Sequence, residues 1–230
     1  MPRRLGRWME LVAGWPPVGG RSPGAASSSE REGSRLSDPR GQLIEVIRAR
    51  GLQYHERRVQ LAAGKMSHYF VDGKRALRSG HDLVTAGKAV LELVEELGVD
   101  FDAVGGLTNG ADHVAHIVAV LADAEWFFVR KQAKDRGTRQ RIEGAILGPG
   151  VRVLLVDDVI TSGGSMMEAL AEIERAGAQV VGAVALVDRD DRAAQAFADR
   201  RIPYAPVARY HDLGIPSVSD EPDAPGLAAG

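Results

Sequence analysis

The chain has 230 residues, 44% of them apolar and 26% charged, with a formal net charge of −2 and no cysteine. That length suits one domain of ordinary size with a full core. The near-neutral balance gives no general reason to expect nucleic acid or an acidic membrane as partner, and the lack of cysteine excludes disulfides, thiolate metal sites and cysteine nucleophiles.

Residues 1–38 are rich in Gly, Ser, Pro and charge and offer little to bury. Such a segment is expected to be a disordered N-terminal extension, because it cannot offset its ordering entropy. A start codon assigned too far upstream explains the same composition. Arg3, Arg4 and Arg7 ahead of Met9–Trp15 look superficially like a targeting segment. Gly14, Pro16 and Pro17 break that run and no small-residue cleavage site follows, so secretion is not expected. No apolar run reaches the roughly 18 residues that span a bilayer.

From Pro39 the pattern becomes regular. Leu43, Ile44 and Ile47 predict a helix that Gly51 stops. Tyr69, Phe70 and Val71 predict a strand before an Asp72-Gly73 turn. LVTAGKAVLELVEELG is a periodic helix ended by Gly98, FDAVGGL a strand entering a glycine turn, and ADHVAHIVAVLADA the next helix. WFFVRK is a strand of aromatic and β-branched residues. A polar, cationic loop follows. VRVLLVDDV is a strand buried on both faces, SMMEALAEIERAGA a helix and QVVGAVALVDRD another buried strand. A last helix and a short strand lead to Ile215, and residues 216–230 are expected to be a flexible tail. Strands alternating with helices predict an α/β domain over 39–215 with a mostly parallel sheet. In such sheets ligands sit beyond the carboxyl ends of the strands.

The most informative segment is Val153 through Ser165, VLLVDDVITSGGS. A buried strand ends in Asp157 and Asp158, then a loop of small residues opens a helix. Gly163 and Gly164 lack Cβ, so amide N–H groups can converge there on one anion. The helix adds the positive end of its dipole, and Thr161, Ser162 and Ser165 add hydroxyls. This describes a phosphate cradle. The acid pair beside it suits ribose hydroxyls or a Mg²⁺ shell. Read more plainly, the acids end a strand and the loop is a turn and N-cap. It is not a P-loop, for no Gly-Lys-Ser/Thr is present.

This segment resembles the phosphoribosyl-pyrophosphate signature of type I phosphoribosyltransferases. Together with FFVRKQAKDRGTRQRIEG and ALVDRD, in that order and spacing, it is similar to the orotate phosphoribosyltransferase family from about Gly41 to Tyr210. The resemblance implies a central, mostly parallel sheet flanked by helices with a small hood. It also implies transfer of ribose 5-phosphate from 5-phosphoribosyl 1-pyrophosphate (PRPP) to orotate, a step of UMP biosynthesis. Mg²⁺ would be carried in by PRPP near Asp157 and Asp158 rather than held by the protein alone. Asp157, Asp158, Val159, Ile160, Thr161, Ser162, Gly163, Gly164 and Ser165 are the implied PRPP site.

Arg130, Lys131, Lys134, Arg136, Arg139 and Arg141 crowd the loop after the WFFV strand. Such a run is usually a solvated surface. Here it follows a strand end, and cations there would stabilise the charge that builds on departing pyrophosphate. The resemblance assigns PRPP binding to Arg130, Lys131, Lys134 and Arg136, with Lys134, Arg136, Asp157 and Asp158 catalytic, and implies a homodimer whose 130–143 loop serves the neighbouring subunit. The family usually has His where this chain has Arg136. Arginine keeps the charge but cannot exchange protons near neutrality.

Arg189 after the VALVD strand reads equally as a surface arginine paired to Asp188 or Asp190. The resemblance makes it, with Thr161 and Lys65, an orotate-binding residue, and a guanidinium suits a carboxylate. Lys65 by itself reads as an exposed lysine, with His68 and Tyr69 expected at the border of the same pocket. Gly105–Gly110 is either a plain turn or a second amide nest for pyrophosphate. The family commonly has an aliphatic residue at Asn109 and Pro at His113. His113 and His116 lack a third ligand for a metal. Met166 and Met167 are expected in the core and on the helix surface. A cytoplasmic enzyme is expected. Another acceptor base, or a PRPP-sensing regulator bound to nucleic acid, remain alternatives; the regulator would need a basic face that the composition does not offer.

Overall fold

The computed structural model describes residues 38–62, 64–132 and 141–221. Strand and helix alternate as expected. Helix α1 (Pro39–Val46) is capped by Asp38, whose carboxylate accepts from the Gly41 amide, and a π-helical turn, Ile47–Gly51, extends it. Strands β1 (Leu52–Gln60) and β2 (Met66–Val71) form a separate antiparallel pair, and a single helical turn α2 (Gly73–Ala76) follows. Helix α3 (Gly80–Glu96) starts at Ser79, whose hydroxyl accepts from the Asp82 amide.

The remaining strands build the main sheet. They are β3 (Ala103–Leu107), β4 (Glu125–Val129), β5 (Ile142–Gly144), β6 (Arg152–Ile160), β7 (Gln179–Asp188) and β8 (Tyr204–Arg209), in the order β5-β4-β3-β6-β7-β8. All neighbours are parallel except β4 and β5. Helices α4 (Asp112–Ala122), α5 (Gly164–Arg175) and α6 (Arg192–Ala198) supply the crossovers, and a 3-10 turn, Tyr210–Leu213, ends the sheet.

Strand β6 shows why the sheet is buried on both sides. Leu154 and Val156 pack with Val90, Val94 and Val118 of α3 and α4. Val153 and Leu155 face the other way, onto Met166, Leu170 and Ile173 of α5. Alternation by two thus splits one apolar run between two cores. The expected placement of the methionines holds: Met166 is buried and Met167 lies half-exposed against the same layer. Among the described residues no helix is long and apolar enough to cross a membrane.

Three features depart from the sequence reading. Strand β1 was not anticipated, because LQYHERRVQ is charged, buries none of its residues fully and has no clean alternation. Strand β5 lies inside the stretch read as loop. The tail expected from Pro216 is packed as far as Glu221, with Ser217, Val218 and Glu221 buried. Its few apolar atoms gave no periodic signal, yet Val218 donates its amide to the Arg189 carbonyl at 3.0 Å. Residues 1–37 and 222–230 of the expected flexible ends lie outside the described residues.

Candidate active site

The carboxyl ends of β3, β6 and β7 open on the same edge of the sheet, and the segments singled out in the sequence meet there. Strand β6 delivers Asp157 and Asp158, both buried. Asp157 Oδ2 accepts from Ser165 Oγ at 2.6 Å, which ties the first turn of α5 to the strand end. Asp157 Oδ1 accepts the Asp158 amide at 3.0 Å, and Asp158 Oδ1 accepts the Val159 amide at 2.7 Å. Burial, and then the charge of Asp158, push the Asp157 carboxyl up to about 7 from its ordinary 3.8. The Ser165 hydroxyl and the Asp158 amide oppose that rise.

The loop after the acids is partly open to solvent. Thr161, Ser162 and Ser165 are half-exposed and Gly164 is exposed. Gly163 caps the helix at φ 74°, a left-handed conformation that favours glycine. Among the described residues, the amides from Thr161 to Ser165 make no turn or cap hydrogen bond. They stand at a helix N-terminus with donors to spare, which suits an anion. Val159 and Ile160 belong to the strand instead. The Ile160 side chain is 2% exposed, in the core, and its carbonyl accepts from the Arg189 amide at 2.9 Å.

Glycines let the neighbouring elements approach the acid pair. A β-carbon on Gly73 would stand 3.0 Å from Asp158 Oδ2, and one on Gly106 would stand 2.1 Å from the Val156 carbonyl oxygen. The loop from Gly105 to Gly110 therefore lies against β6, with a cis peptide bond between Thr108 and Asn109. Two further groups stand here: Lys74, which the sequence reading gave no role, and His113, which it named only as a departure from the family and as half of a histidine pair. Lys74 Nζ is 3.4 Å from Asp158 Oδ2; its place in the helical turn that opens at Gly73, just after β2, was the available signal. His113, in the first turn of α4, has a buried Nε2 with no hydrogen-bond partner. Burial holds its pKa below the ordinary value, and Asp158 opposes this. His116 packs edge-on against Trp126 at 4.5 Å. Among the described residues no three His, Cys, Asp or Glu side chains could together hold a metal ion.

Of the cationic loop, Lys134, Arg136 and Arg139 lie outside the described residues. Its two ends are described. Arg130 pairs with Glu143 at 2.9 Å. Arg141 donates to the Arg130 carbonyl at 2.8 Å, to Glu172 at 2.5 Å and to Glu168, all from one guanidinium. Arg141 thus fastens the loop base to α5 rather than offering a free charge. Lys131 is exposed.

Arg189 is not the surface arginine that its neighbours allow. It is 1% exposed. It donates to the Tyr69 carbonyl at 2.9 Å and to Ser67 Oγ at 3.4 Å, so it joins β7 to the antiparallel pair. Asp188 turns away and accepts from Tyr204 Oη at 2.7 Å, and Asp190 pairs with Arg192. Burial pushes the Arg189 guanidinium down, and Glu221 opposes it. Lys65 stands in the turn that enters β2, ahead of the Ser67–Tyr69 stretch that meets Arg189 and contains His68.

Comparison with known proteins places this arrangement. Residues 83–204 match the phosphoribosyl transferase domain. The orotate phosphoribosyltransferase of Streptomyces avermitilis is 38% identical over 186 residues, covering 78% of this chain and all of that protein. Its counterpart from Corynebacterium glutamicum is 37% identical over 181 residues, 78% of this chain and 96% of that one. A crystal structure of the Mycobacterium tuberculosis orotate phosphoribosyltransferase in complex with PRPP superimposes with a TM-score of 0.62 at 33% identity, over 77% of this chain and 99% of that one. Adenine phosphoribosyltransferase of Leishmania donovani, at 16% identity and a TM-score of 0.57, shares the fold. With relatives this similar over their whole length, a matching domain and a type I phosphoribosyltransferase fold, the chain belongs to the orotate phosphoribosyltransferase family.

Proposed function

We propose that the chain joins the ribose C1 of PRPP to orotate N1, releasing pyrophosphate and forming orotidine 5′-monophosphate. The observation that carries this is the pairing, at one strand end, of unpartnered loop amides with two buried carboxylates. The Thr161–Ser165 amides and hydroxyls take the 5-phosphate. Asp157 and Asp158 face the ribose hydroxyls, and their charge favours the oxocarbenium-like sugar as the C1–O bond breaks. Lys134 and Arg136, with Arg130 and Lys131, balance the charge growing on pyrophosphate. Arg189, Thr161 and Lys65 hold the acidic base.

Mg²⁺ fits this donor set. The protein offers a carboxylate pair, so a hexacoordinate ion there would complete its shell from ribose hydroxyls, pyrophosphate oxygens and water. Bound in that way, it would neutralise charge on the leaving group.

A homodimer in which the 130–143 loop completes the neighbour's site, and a cytoplasmic setting, belong to the same reading. Val120 and Trp126 are exposed apolar side chains, 74% and 40% accessible, on α4 and β4. Turnover with PRPP, Mg²⁺ and each of orotate, uracil, hypoxanthine and adenine tests the proposal. Pyrophosphate release with orotate alone is expected. Equal or greater turnover with a neutral base would overturn the choice of acceptor.

A further inference from the structure

The end of the described chain carries a carboxylate onto the groups assigned above to the base. After the 3-10 turn the chain passes the residues that follow β7. Val218 is 1% exposed and donates to the Arg189 carbonyl, and Ser219 Oγ donates to Asp190 Oδ2 at 2.6 Å. A turn from Ser217 to Asp220 then points Glu221 inward, where it is 9% exposed. Glu221 Oε1 accepts from Ser67 Oγ at 2.5 Å and Oε2 accepts from the His68 amide at 3.1 Å. Arg189 Nη2 stands 3.7 Å from Oε1.

A hydroxyl, an amide and a guanidinium turned on two oxygens make a carboxylate-binding site. This one already holds a carboxylate, the chain's own. The fit is incomplete. The Arg189–Glu221 approach is longer than a hydrogen bond, and Arg189 Nε is buried with no partner. A guanidinium with a donor left over can accept a better-placed acid. Glu221 ends the packed part of the segment, three residues past Val218, so it can leave while Val218 stays in place.

We propose that residues 216–221 form a strap whose Glu221 occupies the subsite for the carboxylate of an acidic base, acting as a tethered competitor that must withdraw before the base binds. This rests on the reading of Arg189 as a base-binding residue. Two carboxylates cannot share one buried guanidinium without strong repulsion. The base therefore meets only the fraction of molecules with an open subsite, and its apparent affinity falls by that fraction. A strap seated about 90% of the time raises the KM for the base about ten-fold.

The test is steady-state kinetics of the full chain with PRPP and Mg²⁺ saturating and orotate varied, for the native protein, Glu221→Gln and Glu221→Ala. A second variant type, Glu221→Lys, reverses the side-chain charge and leaves residues 216–220 unchanged. The expected result is a fall of about three- to ten-fold in KM for orotate, with kcat and the KM for PRPP unchanged. An unchanged or raised KM for orotate overturns the strap, and a lower melting temperature beside an unmoved KM marks a purely structural tie and does the same. Absence of orotate turnover in every form overturns the base assignment and the strap together, whereas turnover with an unmoved KM overturns the strap alone.

Discussion

Gly110 lies so close to Asp157 that a β-carbon at position 110 would stand 2.3 Å from Asp157 Oδ1 and 2.7 Å from Asp158 Oδ1. One glycine therefore sets where both carboxylates point. Gly110→Ala is expected to push the acid pair aside and lower kcat/KM by on the order of 100-fold, because small displacements of reacting groups are costly. Pyrophosphate-release kinetics and circular dichroism check this: activity falls while the fold remains.

Asp157 gives the site a pH signature. Its folded pKa of about 7 stands well above its ordinary 3.8, so the native state holds an extra proton between those values. Stability of the ligand-free protein should therefore fall as pH rises from about 4 to about 7, and level off above. Asp157→Asn removes the buried charge. It is expected to raise stability at pH 8 by on the order of 2–4 kcal/mol, a gain that shrinks to nothing near pH 4. Thermal melts across pH check the sign, and the same variant should lose most of its turnover.

Replacing Arg189 with lysine keeps a charge but loses the planar pair of donors. With Ser67, Tyr69 and Glu221 all turned toward the guanidinium, Arg189→Lys is expected to raise the KM for orotate by about 10- to 100-fold. The KM for PRPP should stay near its native value. An equal loss for both substrates would count against Arg189 as a base contact.

The cationic loop separates charge from proton transfer. Lys134→Ala is expected to lower kcat by on the order of 100-fold or more, as loss of a cation at a departing pyrophosphate should. Arg136→His should change kcat by less than about ten-fold, since the role asked of that position is electrostatic. A large gain in rate on introducing histidine would show that a proton is moved there.

Much of this was legible in the residues. VLLVDDVITSGGS announced a buried strand, an acid pair and a glycine-bearing cradle, because each property depends on residues adjacent in sequence. The parallel sheet was legible for the same reason: its strands are continuous apolar runs. What escaped depends on distant partners. LQYHERRVQ pairs with Met66–Val71 through backbone hydrogen bonds, which its charged side chains do not advertise. Lys74 reaches Asp158 from 84 positions away in the chain. Glu221, 154 positions from Ser67, reads in sequence as one more acid in a polar tail. Arg189 was found, but its burial was not, since Asp188 and Asp190 on either side suggested a solvated cluster.

The central claim is that the loop after the acid pair grips a sugar phosphate, and Gly164 offers the most direct test. It is exposed, and a β-carbon there would meet only Ser162 Oγ, at 3.5 Å, so a larger side chain fits the fold. Calorimetric titration of PRPP with Mg²⁺ should give saturable one-to-one binding per subunit to the native chain. Gly164→Val should bind at least about ten-fold more weakly, as expected when a group intrudes on a phosphate held by helix-terminal amides, while its melting temperature is unchanged. Equal affinity for the two proteins, or no PRPP binding by the native chain, would contradict the account.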